Sequence, residues 1–239
     1  MHPNLNSLNI KIFADGADES GITQLCQNPI IRGVTTNPTL MRKAGIKNYS
    51  DFAKSIINLV PHLPVSFEVF ADELPEMERQ AKVIASWGKN VNVKIPVMNT
   101  KGDFTGPIIK SLSSMGVVLN VTAIMTVDQV EAVAKHLSVQ TPAIISVFAG
   151  RVADTGVDPV IHMKHCLQAM RHLPKAELLW ASPRELLNIF QANDAGCHII
   201  TVGHDLLGKL SLVGKNLHEY SRETVEMFYR DALASSYQI

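Results

Sequence analysis

The chain has 239 residues, 46% of them hydrophobic, with 22 basic and 22 acidic side chains. That length supports a sizeable core in one α/β barrel or two small domains, and a formal net charge of zero removes the electrostatic case for nucleic acid or an acidic membrane surface. No apolar run is long enough to span a bilayer, the start Met1-His2-Pro3-Asn4-Leu5-Asn6 lacks the basic and apolar regions of a leader, and Cys26, Cys166 and Cys197 are odd in number and scattered, as in a cytoplasmic protein with reduced thiols.

Strand-like and helix-like segments alternate along the chain. Residues 10–14 form the first expected strand and residues 31–35 the second. The third spans 64–69, the fourth 90–97 and the fifth 117–121. The sixth spans 143–148, the seventh 177–181 and the eighth 198–202. Amphipathic helical spacing lies between most of them, at 74–85, 127–136 and 184–194, the last with Gly196 near its C-cap. No Pro/Gly/Ser-rich linker divides the chain. Eight strands with intervening helices predict a single (β/α)8 barrel over residues 1–239. A doubly wound open sheet is the alternative.

The fourth segment, Asn90-Val91-Asn92-Val93-Lys94-Ile95-Pro96-Val97, carries the most informative residue. Strands apolar at nearly every position belong to parallel sheets covered on both faces. An unpaired lysine in such a strand is driven towards the neutral amine by desolvation, and a neutral buried amine forms Schiff bases with carbonyls. The structural alternative for Lys94 is an ammonium that escapes at the strand end or meets a carboxylate.

In a barrel, the working residues sit at the C-terminal ends of the strands. Those ends supply Asp15, Asn37, Glu68, Lys94, Asn120, Thr122, Phe148, Arg151, Ser182 and Arg184. Each has a plain alternative. Asp15 and Asn37 suit turns or caps. Ser182-Pro183-Arg184-Glu185 fits a helix capping box with proline at the first helical position. Together they place a lysine, two carboxylates and two arginines around one mouth. His162, His165 and Cys166 put possible metal ligands on neighbouring faces of one helix, but a site needs more ligands in fixed geometry. An ordinary helix face is the better reading, and no metal is expected.

Gly33-Val34-Thr35-Thr36-Asn37-Pro38-Thr39-Leu40-Met41 resembles the first transaldolase signature. Val93-Lys94-Ile95-Pro96-Val97 resembles the Schiff-base segment of the same family. The resemblance runs from Phe13-Ala14-Asp15 to the eighth strand, and the length is similar to that of the small transaldolases, which include fructose 6-phosphate aldolases. It implies a class I aldolase barrel without metal or cofactor. Lys94 then matches the Schiff-base lysine and Asp15 the acid/base of carbon–carbon cleavage. Glu68 matches the glutamate that works through a catalytic water, and Thr122 the threonine that positions it. Asn37 and Asn120 match the groups that hold the dihydroxyacetone part. Arg151, Ser182 and Arg184 match the phosphate site, a role that suits the planar fork of arginine.

The implied reaction transfers a three-carbon unit between sugar phosphates, in the pentose phosphate pathway or a specialised sugar pathway. Cleavage to free dihydroxyacetone is the alternative. Related fructose 6-phosphate aldolases carry glutamine and tyrosine where this chain has Glu68 and Phe148, which favours transfer. A catalytically silent barrel used for binding is disfavoured, because each expected polar position is filled. Two departures bear on the acceptor. Met98-Asn99-Thr100-Lys101-Gly102-Asp103 is longer than the corresponding family segment, which implies a reshaped loop near the acceptor. Ala181-Ser182-Pro183-Arg184 lacks the large residue expected before the arginine. Small transaldolases form rings of five or paired rings, so a homo-oligomer, pentamer or decamer, is implied. The amphipathic stretch 217–233 suits either a docking helix for a neighbour or the last barrel helix.

Overall fold

In the computed structural model, which describes residues 4–235, the eight apolar runs become eight parallel strands that pair in chain order and close into a barrel. β1 (Lys11–Asp15) leads to α1 (Glu19–Cys26), and β2 (Ile31–Thr35) to α2 (Pro38–Lys43) and α3 (Tyr49–Leu59). β3 (Val65–Glu68) precedes α4 (Leu74–Ala85), β4 (Val91–Pro96) precedes α5 (Gly106–Ser114), and β5 (Leu119–Ile124) precedes α6 (Val127–Ala134). β6 (Ala143–Val147) feeds α7 (Ala149–Asp154) and α8 (Pro159–Ala169), β7 (Ala176–Trp180) feeds α9 (Leu187–Asp194), and β8 (Ile199–Gly203) feeds α10 (His204–Leu207). α11 (Leu217–Ser235) follows. The single (β/α)8 barrel expected from the rhythm of the sequence is the fold, and the open-sheet alternative is excluded by the β1–β8 pairing. Residues 1–3, half of the amino-terminal segment read above, lie outside the described residues, as do residues 236–239.

Side-chain alternation decides what the barrel contains. One set of positions packs outward against the helices in the main core, with Ile12, Ala14, Val34, Phe67, Val93, Ile95, Val121 and Ile145 all buried. The other set points inward, and it is layered. Phe13, Ile144, Leu179 and Ile199 make an apolar plug in the barrel. The residues two steps further along the same strands are Asp15, Ser146, Ala181 and Thr201, so the lumen becomes mostly polar towards the C-terminal ends. Gly33 belongs to the plug by omission: a Cβ there would sit 2.6 Å from the Phe13 ring.

Most element ends differ from the sequence reading by one or two residues, and three segments differ for a local reason. The fifth strand starts at Leu119 rather than Val117, because residues 116–117 close α5: Gly116 has φ +84° and the Val117 amide donates to the Leu112 carbonyl. It also runs on to Ile124. The helix expected from residue 184 begins at Leu187, without a side-chain cap. Ser182 is not its N-cap; it has φ +61°, and the amides of Arg184 and Glu185 donate to Asn188 Oδ1 instead. The stretch 217–233 is not a packed barrel helix, since α11 has no buried residue.

Candidate active site

A cavity of about 430 Å³ opens at the C-terminal mouth, and each of the eight strands contributes to its wall. Its floor is the polar layer above the apolar plug. The aromatic packing of Tyr49 against Phe67 and Trp87 braces one side, and the Tyr49 hydroxyl donates to the Glu68 carbonyl at 2.9 Å, pinning the end of β3.

Lys94 is 7% exposed and lies beside Glu68 in the β3–β4 register. Its Nζ stands 3.1 Å from Glu68 Oε2 and donates to the Thr36 carbonyl at 2.9 Å. The lysine therefore meets a carboxylate, the second of the two situations its strand allowed. That carboxylate is itself part of the cavity wall, so the pair holds an amine and a proton acceptor in reach of one bound molecule.

Asp15 faces the same space from β1. Its Oδ1 accepts from Thr35 Oγ1 at 2.7 Å. The Thr35 proton is thereby committed, so Thr35 accepts the short hydrogen bond that joins it to the Thr201 hydroxyl. Burial pushes the Asp15 carboxyl above the usual carboxylate range. The positive charge of Lys94 and the Thr35 bond oppose that push, the negative charge of Glu68 adds to it, and His204 opposes it.

Asn120 is fully buried and fixed at both ends of its amide. Nδ2 donates to Ser66 Oγ at 3.1 Å, and Oδ1 accepts from Ser146 Oγ at 2.6 Å. Thr122 lies two residues further along β5, on the cavity wall, within an irregularity of the β5–β6 register between Val121 and Ile124. There Ala123 takes φ +60°. Such bulges bend a strand and re-aim its side chains. Asn37 also lines the cavity, and its Oδ1 caps α2 by accepting from the Leu40 amide at 3.0 Å, as its plain reading anticipated.

The remaining expected residues divide. Phe148, Arg151 and Ser182 line the cavity, with the Arg151 guanidinium carbon 4.9 Å from the Phe148 ring centroid. Arg184 lines a second cavity of about 680 Å³, which shares Asp15, Leu40, Ser182 and Thr201 with the first. Its guanidinium is forked onto Asp154, with Nε 3.1 Å from Oδ1 and a shorter contact from Nη2 to Oδ2. The two arginines expected around one phosphate thus face adjoining spaces.

The reshaped loop is also displaced from where the sequence implied. Residues 98–103 fold on themselves through Asn99, whose Oδ1 accepts from the amides of Lys101 and Asp103. The Thr100 amide and hydroxyl bind Asp72, and none of the loop residues lines either cavity. His162, His165 and Cys166 do not assemble a metal centre: among the described residues no group of three or more His, Cys, Asp or Glu side chains is placed to hold an ion. Burial pushes the Cys166 and Cys197 thiols up to about 12. No described helix is long and apolar enough to cross a membrane.

The sequence reading missed Thr35, Ser66, Ser146 and Thr201 as site residues. Ser66 and Ser146 lie two residues before Glu68 and Phe148, but their inward direction, like that of Thr35 and Thr201, follows only once the barrel is closed.

The chain is similar to known proteins along most of its length. The family described as Transaldolase/Fructose-6-phosphate aldolase matches residues 12–239. The protein named "Probable transaldolase 2" of Listeria monocytogenes is 34% identical over 223 residues, 93% of this chain and 95% of the relative. The "Probable transaldolase" of Herpetosiphon aurantiacus is 34% identical over 84% of this chain and 87% of its own length. Among solved structures, a 2,3-dimethylmalate lyase superposes with a TM-score of 0.58 at 14% identity, over 95% of this chain and 84% of the other. A dihydrodipicolinate synthase from Rhodopseudomonas palustris superposes with a TM-score of 0.55 at 14% identity, over 98% and 82%. Those two likenesses speak for the barrel alone. The match that begins inside β1 and continues past the last strand, with relatives aligned over most of their own length, places the chain in the transaldolase/fructose-6-phosphate aldolase family.

Proposed function

We propose that the protein is a transaldolase that moves a three-carbon dihydroxyacetone unit from a ketose phosphate to an aldose phosphate through a Schiff base on Lys94. The observation that carries this reading is the Lys94–Glu68 pair, at 3.1 Å, sharing one cavity with Asp15. Glu68 takes a proton from the ammonium, and the freed amine adds to the ketone carbonyl. Loss of water, with Glu68 and Thr122 handling the proton transfers, leaves an iminium. Asp15 then removes the proton of the hydroxyl on the far carbon of the bond that breaks, and that carbon becomes the carbonyl of the departing aldose phosphate. The bond's electron pair flows to the iminium nitrogen, an aldose phosphate leaves, and an enamine stays on Lys94. An acceptor aldehyde is attacked by the enamine carbon, Asp15 returns its proton to the new alkoxide, and water releases the product. Arg151, Ser182 and Arg184 bind the substrate phosphate; Asn37 and Asn120 hold the dihydroxyacetone part. The enzyme needs no metal or cofactor and works in the cytoplasm, in the pentose phosphate pathway or a specialised sugar pathway.

Borohydride reduction in the presence of fructose 6-phosphate is expected to attach a three-carbon unit to Lys94 in peptide mapping. Lys94→Ala is expected to fold and lose turnover. Label on another lysine would overturn the mechanism. Transfer to erythrose 4-phosphate is expected to outrun release of free dihydroxyacetone, and equal rates would replace this reading with the aldolase one.

A further inference from the structure

The second cavity contains a polar group that the reaction above does not use. His204 is the first residue of α10, directly after β8, and its ring is wedged against Gly16 of the β1–α1 turn and Gly21 in the first turn of α1. A Cβ on Gly16 would lie 2.7 Å from His204 Nε2, and one on Gly21 would lie 2.3 Å from its Cε1. Both positions therefore leave room for the imidazole. Nε2 is buried and has no hydrogen-bond partner among the described residues. A buried polar atom without a partner costs free energy, and such atoms in native sites call for a functional explanation.

Gly16 follows Asp15, and both line the second cavity with His204. We propose that His204 is a positioning residue for the reaction, whose imidazole, seated in the slot beside Gly16, acts through Asp15 as a polar wall of the cavity that the two share. This rests on Asp15 being the acid/base of the proposed transaldolase.

The charged surroundings fix the sign. Asp18, the N-cap of α1, faces the ring from one side, with its Oδ2 accepting from Ser20 Oγ and the Gly21 amide. Asp205 of α10, Lys43 of α2 and Arg184 line the same cavity. On the first-cavity side Asp15 meets Lys94, Glu68 and the Thr35 hydroxyl. A proton on His204 favours the carboxylate of Asp15. Removing the imidazole withdraws that support, and Asp15 keeps its proton to higher pH. The fraction of enzyme with Asp15 ready to accept a proton then falls on the acid side.

The test is the pH profile of kcat/KM for transfer in His204→Phe, which keeps a flat ring in the slot, and in His204→Gln. The acid limb is expected to move up by roughly half a unit to one unit, within the range that nearby charges shift a carboxyl, while the plateau stays within a few-fold. Gly21→Ala, which drives a methyl into the ring, is expected to shift the limb in the same direction. Asp15→Asn separates the two readings. If it abolishes turnover and the His204 variants keep the original limb, or lose rate equally at every pH, the role of His204 is overturned and that of Asp15 stands. If Asp15→Asn turns over normally, both fall.

Discussion

Asp15 is held against its own solvation. Its carboxyl is enclosed beside Glu68, and burial raises it above the usual carboxylate range despite Lys94 and Thr35. The folded state therefore binds a proton at Asp15 more readily than the unfolded chain does. Linkage then requires stability to fall as pH rises from the ordinary carboxylate value to the raised one. Above that window the full cost of the charge is present; below it the cost is gone. Asp15→Asn keeps the shape without the charge. It is expected to raise Tm at neutral pH, by roughly 2–4 °C for each kcal/mol recovered in a chain of this size. The gain is expected to vanish near about pH 4, where the native carboxyl is also protonated. Scanning calorimetry of both proteins across that range checks it, and a Tm lowered at neutral pH would show that the attraction of Lys94 and the Thr35 hydrogen bond for the charged carboxylate outweigh its burial cost. The same substitution removes the proton acceptor, so stability and turnover are expected to move in opposite directions.

At the scale of elements, the junction of α7 with the loop after β7 shapes the proposed phosphate end of the site. A Cβ on Gly150 would lie 1.6 Å from the Ser182 carbonyl oxygen, so the approach of the two segments depends on that glycine. Arg151 and Asp154 lie three residues apart on α7, and Asp154 holds Arg184 by its fork. A phosphate in this region competes with Asp154 for that guanidinium. Arg184→Ala is expected to raise KM for phosphorylated substrates about tenfold or more, from the roughly 1.5–3 kcal/mol of a charge-assisted contact, with little change for unphosphorylated aldehydes. Asp154→Ala is expected to lower the same KM by freeing the arginine. Steady-state kinetics on paired substrates decides; equal losses on both substrate types would assign the pair to loop packing. This junction also marks where the sequence stopped being legible. β2 and α4 have the expected ends because burial pattern and local propensity agree there. Ser182-Pro183-Arg184-Glu185 has every residue of a cap, yet the Asn188 side chain takes the amides and Ser182 turns left-handed. Nothing local announces that competition. Lys94 was legible because a charge in an apolar strand stands out, and Asp15 and Glu68 because they fall at strand ends that a barrel gathers at one mouth. Thr35, Ser66, Ser146 and Thr201 were not, because small hydroxyl residues suit strands and packed interiors equally well, and their inward direction follows only from barrel closure.

The whole barrel builds its own mouth from one chain, but it leaves α11 without a place in the core. That helix starts at Asn216, whose Oδ1 accepts from the amides of His218 and Glu219. It then runs 19 residues with none buried. Val225, Phe228, Tyr229 and Ala232 follow the i, i+3, i+4, i+7 spacing of one helical face. Phe228 is 63% exposed and Leu217 79%. Helices gain most of their stability by burying such a face, and exposed apolar stripes of this kind mark interaction surfaces. We propose that α11 docks on a second copy of the chain and that the protein assembles as a pentamer or decamer. Light scattering is expected to give a pentamer or decamer mass for the full chain. Val225→Glu with Phe228→Glu is expected to reduce it to a smaller species, while the far-ultraviolet spectrum is retained. Because each of the eight strands around Lys94 comes from the same chain, the smaller species is expected still to trap the three-carbon adduct on Lys94. A full chain that is monomeric at the same concentration, or a double variant that keeps the parent mass, would exclude α11 as the assembly element. Loss of the adduct together with assembly would show that the neighbouring copy completes the site.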